Sequence, residues 1–545
     1  MKISILRFSI AIFAFLALGL FADAQSRTDT YAITNAQVVT VSGPTLSRAT
    51  IVVRDGLIES IGENAKVPAD ARVIDGTGLT VYPGLFDTYS SLGIPARQAA
   101  AQTTPGQAAQ AQSNSNYPDG LRPDDNVFNL LRAGETQFET NRNAGFTTVL
   151  TVGRDGIFNG QSAIINLAGD SVSAMVVRAP FAEHVTFRTL PGGVYPTSLM
   201  GSYAAFRQML LDAQRLQEIQ KIYEKNPRGM KRPPQDLSLE ALYPIINGAL
   251  PVVLNANSEN EIVRALDLAS EFKFRAILAG GQEAWKLAGR LKAQNVPVLL
   301  SLNFPKRTTA VSTEADAEPL EILRLRAETP KGAARLQAAG VKFAFQTGGM
   351  TNVNDFLANA AKAVENGLDR TSAIRAMTIN AAEILGVDNQ LGSIEAGKIA
   401  NLVVMRGDIF AKDKVITQVF VDGRMFEPKL PVKPQTTGTT TTTGALAAVG
   451  GSYNITVEIP GQPLQGTLNL VQQSAILTGT WQLQQKSTPI KDGKVTAEGF
   501  SFSATIDFEG NASEITVNGK VTGNQISGTV STSGGAIPFS GTKIP

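Results

Sequence analysis

The sequence predicts an α/β protein with a (β/α)8 barrel of the TIM type, followed by a separate all-β domain. Apolar strands alternate with amphipathic helices along residues 251–385, as in a parallel sheet covered by helices on both faces. Residues 431–449 are rich in Pro and Thr, which indicates a linker. Residues 450–545 alternate short apolar runs with turn residues, and this predicts a small antiparallel β barrel or sandwich.

Length and composition restrict the class of protein further. A chain of 545 residues exceeds what one hydrophobic core supports, so more than one domain is expected. The absence of cysteine excludes disulfides, thiolate metal ligands and cysteine nucleophiles. The 49 basic and 47 acidic residues nearly cancel, so charge gives no indication of a nucleic-acid partner.

Residues 1–24 have the pattern of a signal peptide. Lys2 and Arg7 precede an apolar run at 10–21, and the small-x-small triplet Ala-Asp-Ala follows at 22–24. No later apolar run reaches the length of a membrane helix. We therefore expect an exported protein, in the periplasm or cell envelope of a bacterium, with no integral membrane segment after the signal peptide is removed.

Short β-strands are predicted for residues 31–74, before the barrel begins. The dipeptide Asp55-Gly56 separates two alternating runs there, which is a strong signal for a two-residue hairpin turn. An apolar strand at 79–86 then delivers Asp87 and Tyr89 to its carboxyl end, where barrel strands carry functional side chains. The polar residues beyond it predict an exposed loop inserted at 96–123.

The later elements follow the helix and strand periods. Helices are predicted at about 125–143 and 198–225, the second of them long. Ser258 and Glu261 have the spacing of a capping box, which begins a helix whose apolar positions share one face. Further helices are predicted near 352–365 and 370–385, and the chain returns to strands from 391.

Two segments resemble the amidohydrolase superfamily, in its imidazolonepropionase-like and prolidase-like branch. Residues 83–87, Pro-Gly-Leu-Phe-Asp, are similar to the Pro-Gly-Leu-Ile-Asp that ends the first barrel strand in that family. Residues 392–423 are similar to the segment in which the family returns from the barrel to its β-sandwich. The resemblance covers about residues 30–427. It implies a composite β-sandwich from 25–80 and 391–430, beside a barrel at 81–390.

The resemblance also implies where a metal would be held. Relatives bind zinc or another divalent metal at the barrel mouth, and the metal lowers the pKa of a bound water so that hydroxide is available at neutral pH. Two of the ligands are histidines that follow the first barrel strand. In this sequence those two positions are Tyr89 and Ser91.

The other implied ligand positions have also lost their metal-binding residues. The histidine of one later strand falls on Asn255 or Asn257, and the histidine of the next strand falls on Gly280. The aspartate that follows the last strand, which also accepts the proton of the metal-bound water in relatives, falls on Gly348. We therefore expect no bound metal, no cofactor and no catalytic residue at these positions.

Other polar residues do not rebuild the site by their spacing. His184, the single histidine, lies at none of the implied ligand positions, and we interpret it as a packed or surface residue. Asp87, Asp155 and Glu283 are candidates for residual polar residues of the cleft. Carboxylates are ligands for hard cations, but no spacing among these three favours a cation site.

These observations support hypotheses from different functional classes. The first is an amidohydrolase-like pseudoenzyme that retains a cleft for an unknown small molecule or partners an active paralogue. The alternative is an active hydrolase of carbon–nitrogen bonds, in non-peptide or dipeptide amides, with a rebuilt site. A third is a cell-envelope scaffold whose C-terminal β-domain binds a partner. The resemblance also implies a homodimer, since relatives often dimerise through barrel helices.

Overall fold

The computed structural model describes most of the chain beyond the N-terminal segment. The described residues are 30–95, 117, 120–134, 136–153, 156–169, 171–190, 195–306, 318–428, 446–457, 464–483, 486–496, 499–508, 511–532 and 535–544. The predicted signal peptide, most of the predicted inserted loop and most of the linker lie outside them. The chain divides into two compact units between residues 429 and 430, and each is described by itself.

The first unit mixes strands and helices in the order that the sequence predicts. Its strands are β1 (Tyr31–Val38), β2 (Leu46–Arg54), β3 (Leu57–Gly62), β4 (Arg72–Asp75), β5 (Leu79–Pro83), β6 (Leu85–Ser90), β7 (Phe146–Thr151), β8 (Phe158–Gln161), β9 (Ala163–Asn166), β10 (Val176–Arg178), β11 (Glu183–Thr186), β12 (Val252–Ala256), β13 (Ala276–Gly280), β14 (Val298–Ser301), β15 (Phe343–Gln346), β16 (Leu402–Arg406), β17 (Val415–Val421) and β18 (Arg424–Phe426).

Helices connect and cover these strands. The α-helices are α1 (Thr136–Asn143), α2 (Val172–Met175), α3 (Leu199–Lys225), α4 (Leu237–Glu240), α5 (Tyr243–Ile246), α6 (Glu259–Phe272), α7 (Ala288–Ala293), α8 (Leu320–Glu328), α9 (Gly332–Ala338), α10 (Asp355–Glu365), α11 (Arg370–Met377) and α12 (Ile379–Leu385). Among the residues that the structure describes, 3-10 turns accompany them at Val127–Leu130, Ala284–Leu287 and Thr329–Lys331. No helix in the described part of the chain is long and apolar enough to span a membrane.

An eight-stranded sheet joins the two ends of the first unit. Its strand order is β18-β17-β16-β5-β1-β2-β3, with β4 paired to β1. The predicted Asp55-Gly56 hairpin is confirmed, with positive φ angles of 51° and 81° between the antiparallel strands β2 and β3. A second Asp-Gly turn packs against it, and a Cβ at Gly423 would lie 2.6 Å from the Cα of Gly56. Glycine is therefore required where the two turns meet.

A buried network of hydrogen bonds connects this eight-stranded sheet to β7 and β9 of the barrel region. Asn401, 6% exposed, donates from Nδ2 to Thr148 Oγ1 at 3.1 Å and to Asn166 Oδ1 at 3.0 Å. Its Oδ1 accepts from the backbone N–H of Asp422 at 2.7 Å. Asn166 donates to Asp422 Oδ1 at 2.6 Å, and burial raises the pKa of Asp422 to about 6. The network uses both ends of the Asn401 amide.

This network predicts the effect of a single-atom change at Asn401. We expect Asn401→Asp to lower the free energy of unfolding at pH 7 by about 2 kcal/mol or more, because a carboxylate cannot donate to Thr148 and Asn166 and would lie beside Asp422. Urea unfolding measures the loss. The exposed Asn389→Asp is the matched control and is expected to change little. Equal stability of the two variants would contradict the network.

The barrel-forming strands hydrogen-bond in two separate sheets, which corrects the expectation of a closed (β/α)8 barrel. One sheet has the order β10-β9-β7-β6 and the other has the order β15-β14-β13-β12-β11-β8. β6 pairs with β7 in parallel, and β11 to β15 pair in parallel with one another. The α/β class is as predicted, but the described backbone does not form a continuous eight-stranded ladder.

Two local features explain why the ladder is interrupted. The antiparallel strands β8 and β9 occupy the positions beside β11 and β7, where two consecutive parallel strands would otherwise pair. At the other junction, β6 contacts β15 through side chains: Thr88 Oγ1 donates to Phe345 O at 3.0 Å, and Thr347 N donates to Asp87 Oδ1 at 2.9 Å. Side-chain hydrogen bonds thus replace a backbone ladder between the first and last of these strands.

Several predicted local elements are found close to their expected positions. The capping box of Ser258 and Glu261 is present at the start of α6. All six residues of β7 are buried, as expected for a parallel strand covered on both faces. The helix predicted over 125–143 is instead a 3-10 turn at Val127–Leu130 followed by α1. The helix predicted over 370–385 is two helices, because the backbone of Thr378 leaves the helical region (φ −133°, ψ −99°).

The second unit is a closed, antiparallel β-barrel. Its strands are β19 (Gly451–Val457), β20 (Leu464–Gln473), β21 (Ile476–Leu483), β22 (Lys486–Pro489), β23 (Lys491–Val495), β24 (Phe500–Phe508), β25 (Asn511–Thr522), β26 (Gln525–Thr532) and β27 (Gly535–Lys543). Strands β22 and β23 pair with successive halves of one edge of β21, and the other edge of β21 pairs with β20, which closes the ring of strands.

Aromatic side chains fill the interior of this barrel. Trp481 and Tyr453 are at most 1% exposed, and the Trp481 ring lies 5.7 Å from the ring of Phe502 in an edge-on arrangement. Asn518-Gly519, a dipeptide typical of hairpin turns, lies inside β25 and is paired with Ser501 and Phe500. Cross-strand packing of Gly519 against the Phe500 ring decides that position, since a Cβ there would lie 2.6 Å from the ring.

Candidate functional site

The strand β6 carries the first group of candidate residues to the carboxyl end of the barrel region. Gly84 permits this placement, because a Cβ there would lie 2.1 Å from Thr147 Oγ1 on the adjacent strand β7. β6 can therefore lie directly against β7 and present Asp87 and Tyr89 beyond their junction. The Pro-Gly dipeptide recognised in the sequence thus has a packing role in addition to its place in the motif.

Asp87 ties β6 to the end of β15. Its carboxylate is 1% exposed and accepts hydrogen bonds from Thr347 N at 2.9 Å, Thr347 Oγ1 at 2.7 Å and Tyr89 N at 3.3 Å. Burial raises the pKa of Asp87 to about 6, although these hydrogen bonds partly oppose the rise. Both oxygens are occupied by donors of the chain itself.

Tyr89 and Asn255 meet inside the barrel region. Asn255 Nδ2 donates to Tyr89 Oη at 3.4 Å, and the Tyr89 ring lies 5.8 Å from the ring of His184. Burial raises the pKa of Tyr89, so the phenol is neutral at physiological pH. Two positions that the resemblance assigns to metal ligands are thus brought together, and they bond to each other.

Gly280 lies against the side chains of Asn255 and Asn257. Its φ is +88°, and a Cβ at this position would lie 2.5 Å from Asn257 Oδ1 and 3.2 Å from Asn255 Oδ1. A histidine could not stand at position 280 unless Asn257 moved. The side chains of Asn255 and Asn257 therefore occupy the space into which a ligand from the next strand would project.

The space beside Gly348 is also occupied. Its φ is +62°, and a Cβ would lie 2.0 Å from Ser301 Oγ, far inside van der Waals contact. Ser301 is 6% exposed at the end of β14, and Asn303 Nδ2 donates to the Gly348 carbonyl at 3.1 Å. No aspartate side chain fits there with Ser301 in its present position.

These residues do not fit the divalent metal that the resemblance implies. Among the residues that the structure describes, no group of three His, Cys, Asp or Glu side chains could hold a metal ion. Asp87 is a buried carboxylate two residues from the implied ligand position Tyr89, and its oxygens already accept three hydrogen bonds from the chain. Neutral amides, a phenol and two glycines take the place of the expected ligands, and these are poor partners for zinc.

A cleft of about 350 Å³ opens at the carboxyl ends of β6, β7 and β15. Its polar lining includes Asp87, Tyr89, Ser91 and Thr347, and Met350 contributes an apolar surface. This volume is at the small end of the range for ligand sites in proteins. Of the residues singled out in the sequence, Asp87, Tyr89 and Ser91 line the cleft, whereas Asn255, Asn257, Gly280 and Gly348 do not.

The candidate carboxylate Glu283 does not line this cleft. Glu283 pairs with Lys286 at 2.7 Å and accepts from the backbone N–H of Glu259 at 2.8 Å, so it caps the start of α6. Its partial burial would raise its pKa, but these bonds outweigh that effect and lower the pKa of Glu283. Asp155 lies outside the described residues.

Sequence reasoning missed a buried pair formed by the single histidine. His184 Nε2 lies 2.8 Å from Ser162 Oγ, with His184 1% exposed and Ser162 fully buried. The antiparallel pairing of β8 with β11 brings the two residues together across 22 positions of sequence. No local sequence motif indicates such a pair. Of the two alternatives that the sequence left for His184, a packed or a surface residue, the structure shows the packed one.

Glu183 is a second buried group that the sequence did not single out. Its side chain is fully buried, and neither carboxyl oxygen makes a hydrogen bond of good geometry. Burial raises the pKa of Glu183 well above its usual range, and the nearby Asp125 adds to the rise, while the Gly160 backbone offsets part of it. Burial therefore favours the protonated, neutral form of Glu183 over the carboxylate.

Because the chain has one histidine, the pKa of His184 can be followed by NMR without overlap from other histidines. Burial lowers the pKa of His184 to about 3, so we expect its Cε1–H NMR signal to stay constant from about pH 5 to 8. In urea the same signal should titrate near about pH 6.5. Since the folded pKa is the lower one, His184 should reduce stability as the pH falls below about 6.5. A native midpoint near 6.5 would contradict its burial.

Comparison with known proteins places the chain in a family. The model of the amidohydrolase family matches residues 291–426. The amidohydrolase tasK of Hapsidospora irregularis is 24% identical over 404 residues, and the match covers 68% of this chain. This chain spans 39% of the length of tasK. Enamidase of Eubacterium barkeri is 51% identical over 51 residues, which are 9% of this chain and 13% of the enamidase.

A solved structure gives the same assignment at the level of the fold. The crystal structure of an amidohydrolase from Thermotoga maritima MSB8 superimposes with a TM-score of 0.61 and 25% sequence identity. The match covers 73% of this chain and 100% of the Thermotoga chain. Together with the residues at 83–87 and 392–423, these findings identify the first unit. The chain belongs to the amidohydrolase superfamily.

Proposed function

We propose that this protein is an exported pseudoenzyme of the amidohydrolase superfamily, which binds a small polar ligand or an active paralogue without metal-dependent hydrolysis. The observation that carries the proposal is the steric one. At Gly280 and Gly348 a Cβ would collide with Asn257 Oδ1 at 2.5 Å and with Ser301 Oγ at 2.0 Å. A metal site could not be regained there by one substitution, since the neighbouring side chains have taken its space.

The cleft beside Asp87 supports the binding part of the proposal. Tyr89, Ser91 and Thr347 offer hydroxyl groups around about 350 Å³, and Asp87 lies at the base with its carboxylate already hydrogen-bonded. Such a lining suits a compact, uncharged molecule that makes several hydrogen bonds and leaves no buried charge unpaired. Amide-containing small molecules, which the names of the relatives suggest, are the first class to examine.

A second candidate function is hydrolysis of a carbon–nitrogen bond by a rebuilt, metal-free site. The pair of Ser162 Oγ and His184 Nε2 at 2.8 Å favours it, because a serine activated by a histidine is a known nucleophile. Burial opposes it, since a nucleophile must reach its substrate and both residues are at most 1% exposed. We therefore place this candidate second.

The two candidates predict different outcomes for metal content and hydrolysis. The mature protein, purified without chelator and offered zinc, manganese and magnesium, is expected to hold no stoichiometric metal by elemental mass spectrometry. It is also expected not to hydrolyse dipeptides, N-acyl amino acids or cyclic amides. Stoichiometric metal with chelator-sensitive hydrolysis would overturn the proposal. Hydrolysis that survives chelator and is lost in Ser162→Ala would establish the second candidate.

Export is the part of the proposal that rests on sequence alone. Residues 1–24 carry the charged, apolar and small-residue regions of a signal peptide, and they lie outside the described residues. N-terminal sequencing of the protein from the periplasmic fraction of a bacterial host is expected to begin at Gln25. A cytoplasmic protein that retains Met1 or Lys2 at its start would contradict export.

A further inference from the structure

A second cleft, larger than the one beside Asp87, lies at the opposite end of the strands from the candidate site. Its volume is about 910 Å³. Residues just before β13, β14 and β15 line it, among them Arg275, Pro297 and Lys342. This is the amino-terminal face of the parallel strands, whereas Asp87 and Thr347 lie at their carboxyl ends. The two clefts are therefore separate sites.

The rim of this amino-terminal cleft is strongly cationic. Lys273, Arg275, Lys292 and Lys342 line it, against the single carboxylate of Glu383. Glu383 pairs with Lys342 at 2.6 Å, which accounts for one of the positive charges. Within the described residues, no ion pair or hydrogen bond engages the side chains of Lys273 or Arg275. The rim thus has an excess of positive charge for an anion to neutralise.

The floor of the cleft is apolar. Ile277, Val296 and Phe343 are between 3% and 6% exposed, and they face the cleft beneath the charged rim. Gln294 adds an unsatisfied acceptor, because its Oε1 is buried without a hydrogen-bond partner while its Nε2 donates to Ser270 Oγ at 3.0 Å. A ligand that fits both surfaces needs an apolar body and an anionic group at one end.

We propose that the cleft lined by Lys273, Arg275, Ile277 and Phe343 binds a small organic anion with an aromatic or aliphatic body. The body lies on the apolar floor, and a carboxylate or sulfonate is held by Lys273 and Arg275. The volume suffices for such a molecule, since ligand sites commonly enclose about 300 to 1,000 Å³. The inference is independent of the function proposed for the Asp87 cleft.

A matched pair of probes separates the two parts of this proposal. 8-Anilinonaphthalene-1-sulfonate carries the anion, and N-phenyl-1-naphthylamine presents nearly the same apolar body without charge. Calorimetric titration of the full chain is expected to show one binding site for the sulfonate. In the double variant Lys273→Glu/Arg275→Glu, we expect its Kd to rise at least about tenfold, while the Kd of the neutral probe changes less than about twofold.

Two further variants control the experiment. Ser270→Trp is expected to fill the cleft from its edge and to weaken both probes at least about tenfold. Lys221→Glu/Lys225→Glu makes the same charge change on the remote part of α3 and is expected to leave both probes unaffected. Thermal melting verifies that each variant is folded. Equal sulfonate binding by all folded variants would overturn the proposal, and so would displacement of the sulfonate by inorganic phosphate alone.

Discussion

Replacing Gly348 by alanine is expected to lower the free energy of unfolding by about 3 to 4 kcal/mol, whereas the same replacement at Gly349 should cost only about 1 to 2 kcal/mol. Both glycines have positive φ, at +62° and +72°, so both variants carry the cost of a left-handed residue. Only at 348 does a Cβ meet another atom, Ser301 Oγ at 2.0 Å, because nothing lies within 4 Å of a Cβ at 349.

A second substitution tests whether Ser301 is the obstacle. Ser301→Gly removes the hydroxyl and its Cβ, and in the Gly348→Ala background it is expected to restore about 1 to 2 kcal/mol of the loss. In the wild-type background the same change should be destabilising, because the backbone N–H of Asn303 loses its bond to Ser301 Oγ at 3.1 Å. Urea unfolding of the four proteins gives the coupling.

The outcome bears directly on the proposed loss of the metal site. If the two glycine variants were equally stable, the space beside position 348 would be open, and an aspartate could be restored there. A clear difference would mean that the site has been filled as well as stripped of ligands. Restoring metal binding would then require changes at Ser301 and Asn257 in addition to the ligand positions.

Asp87→Asn is expected to flatten part of the pH dependence of stability. Burial raises the pKa of Asp87 from 3.8 to about 6, so the folded protein takes up a proton that the unfolded chain does not hold between about pH 4 and 6. Stability contributed by that proton is present below this window and is lost as the pH rises through the folded pKa. The shift corresponds to about 3 kcal/mol between pH 4 and 7.

The effect is measured as the difference in the free energy of unfolding between the wild type and Asp87→Asn at each pH. The stability of the wild type minus that of Asp87→Asn should fall by up to about 3 kcal/mol from pH 4 to pH 7. Asparagine keeps an acceptor for Thr347 N, and its amide can donate to Thr347 Oγ1, so the variant should fold. Asp388→Asn at an exposed position controls for the substitution itself. A difference that is constant with pH would show that Asp87 is ionised throughout.

Some features of the fold are determined by residues that are close together in the sequence, and these features could be predicted from the sequence alone. The Asp55-Gly56 turn needs two residues with positive φ. Asp and Gly adopt positive φ more readily than most residues, so the dipeptide alone predicts the turn. The capping box of Ser258 and Glu261 likewise depends on a spacing of three. Parallel strands such as β13 are apolar on both faces, so the α/β class could be predicted from the pattern of apolar runs.

The division of the barrel strands into two sheets was not predictable from these local patterns. Periodicity identifies a strand but not its partner, and β8 and β9 turned out to pair in the antiparallel sense with β11 and β7. The same limit applies at Asn518-Gly519, where a dipeptide typical of turns lies within a paired strand. In both cases contacts between distant segments outweighed local preference.

The sequence by itself determined which chemistry the candidate site lacks. A chain with no cysteine and one histidine cannot assemble a metal site of histidines or thiolates, whatever its fold. Only the tertiary structure decided what occupies that space: Asn257 beside Gly280, Ser301 beside Gly348, and Asp87 bonded to Thr347. The reason is physical, since composition limits the available ligands, whereas the filling of a space depends on side chains that distant strands bring within a few ångströms.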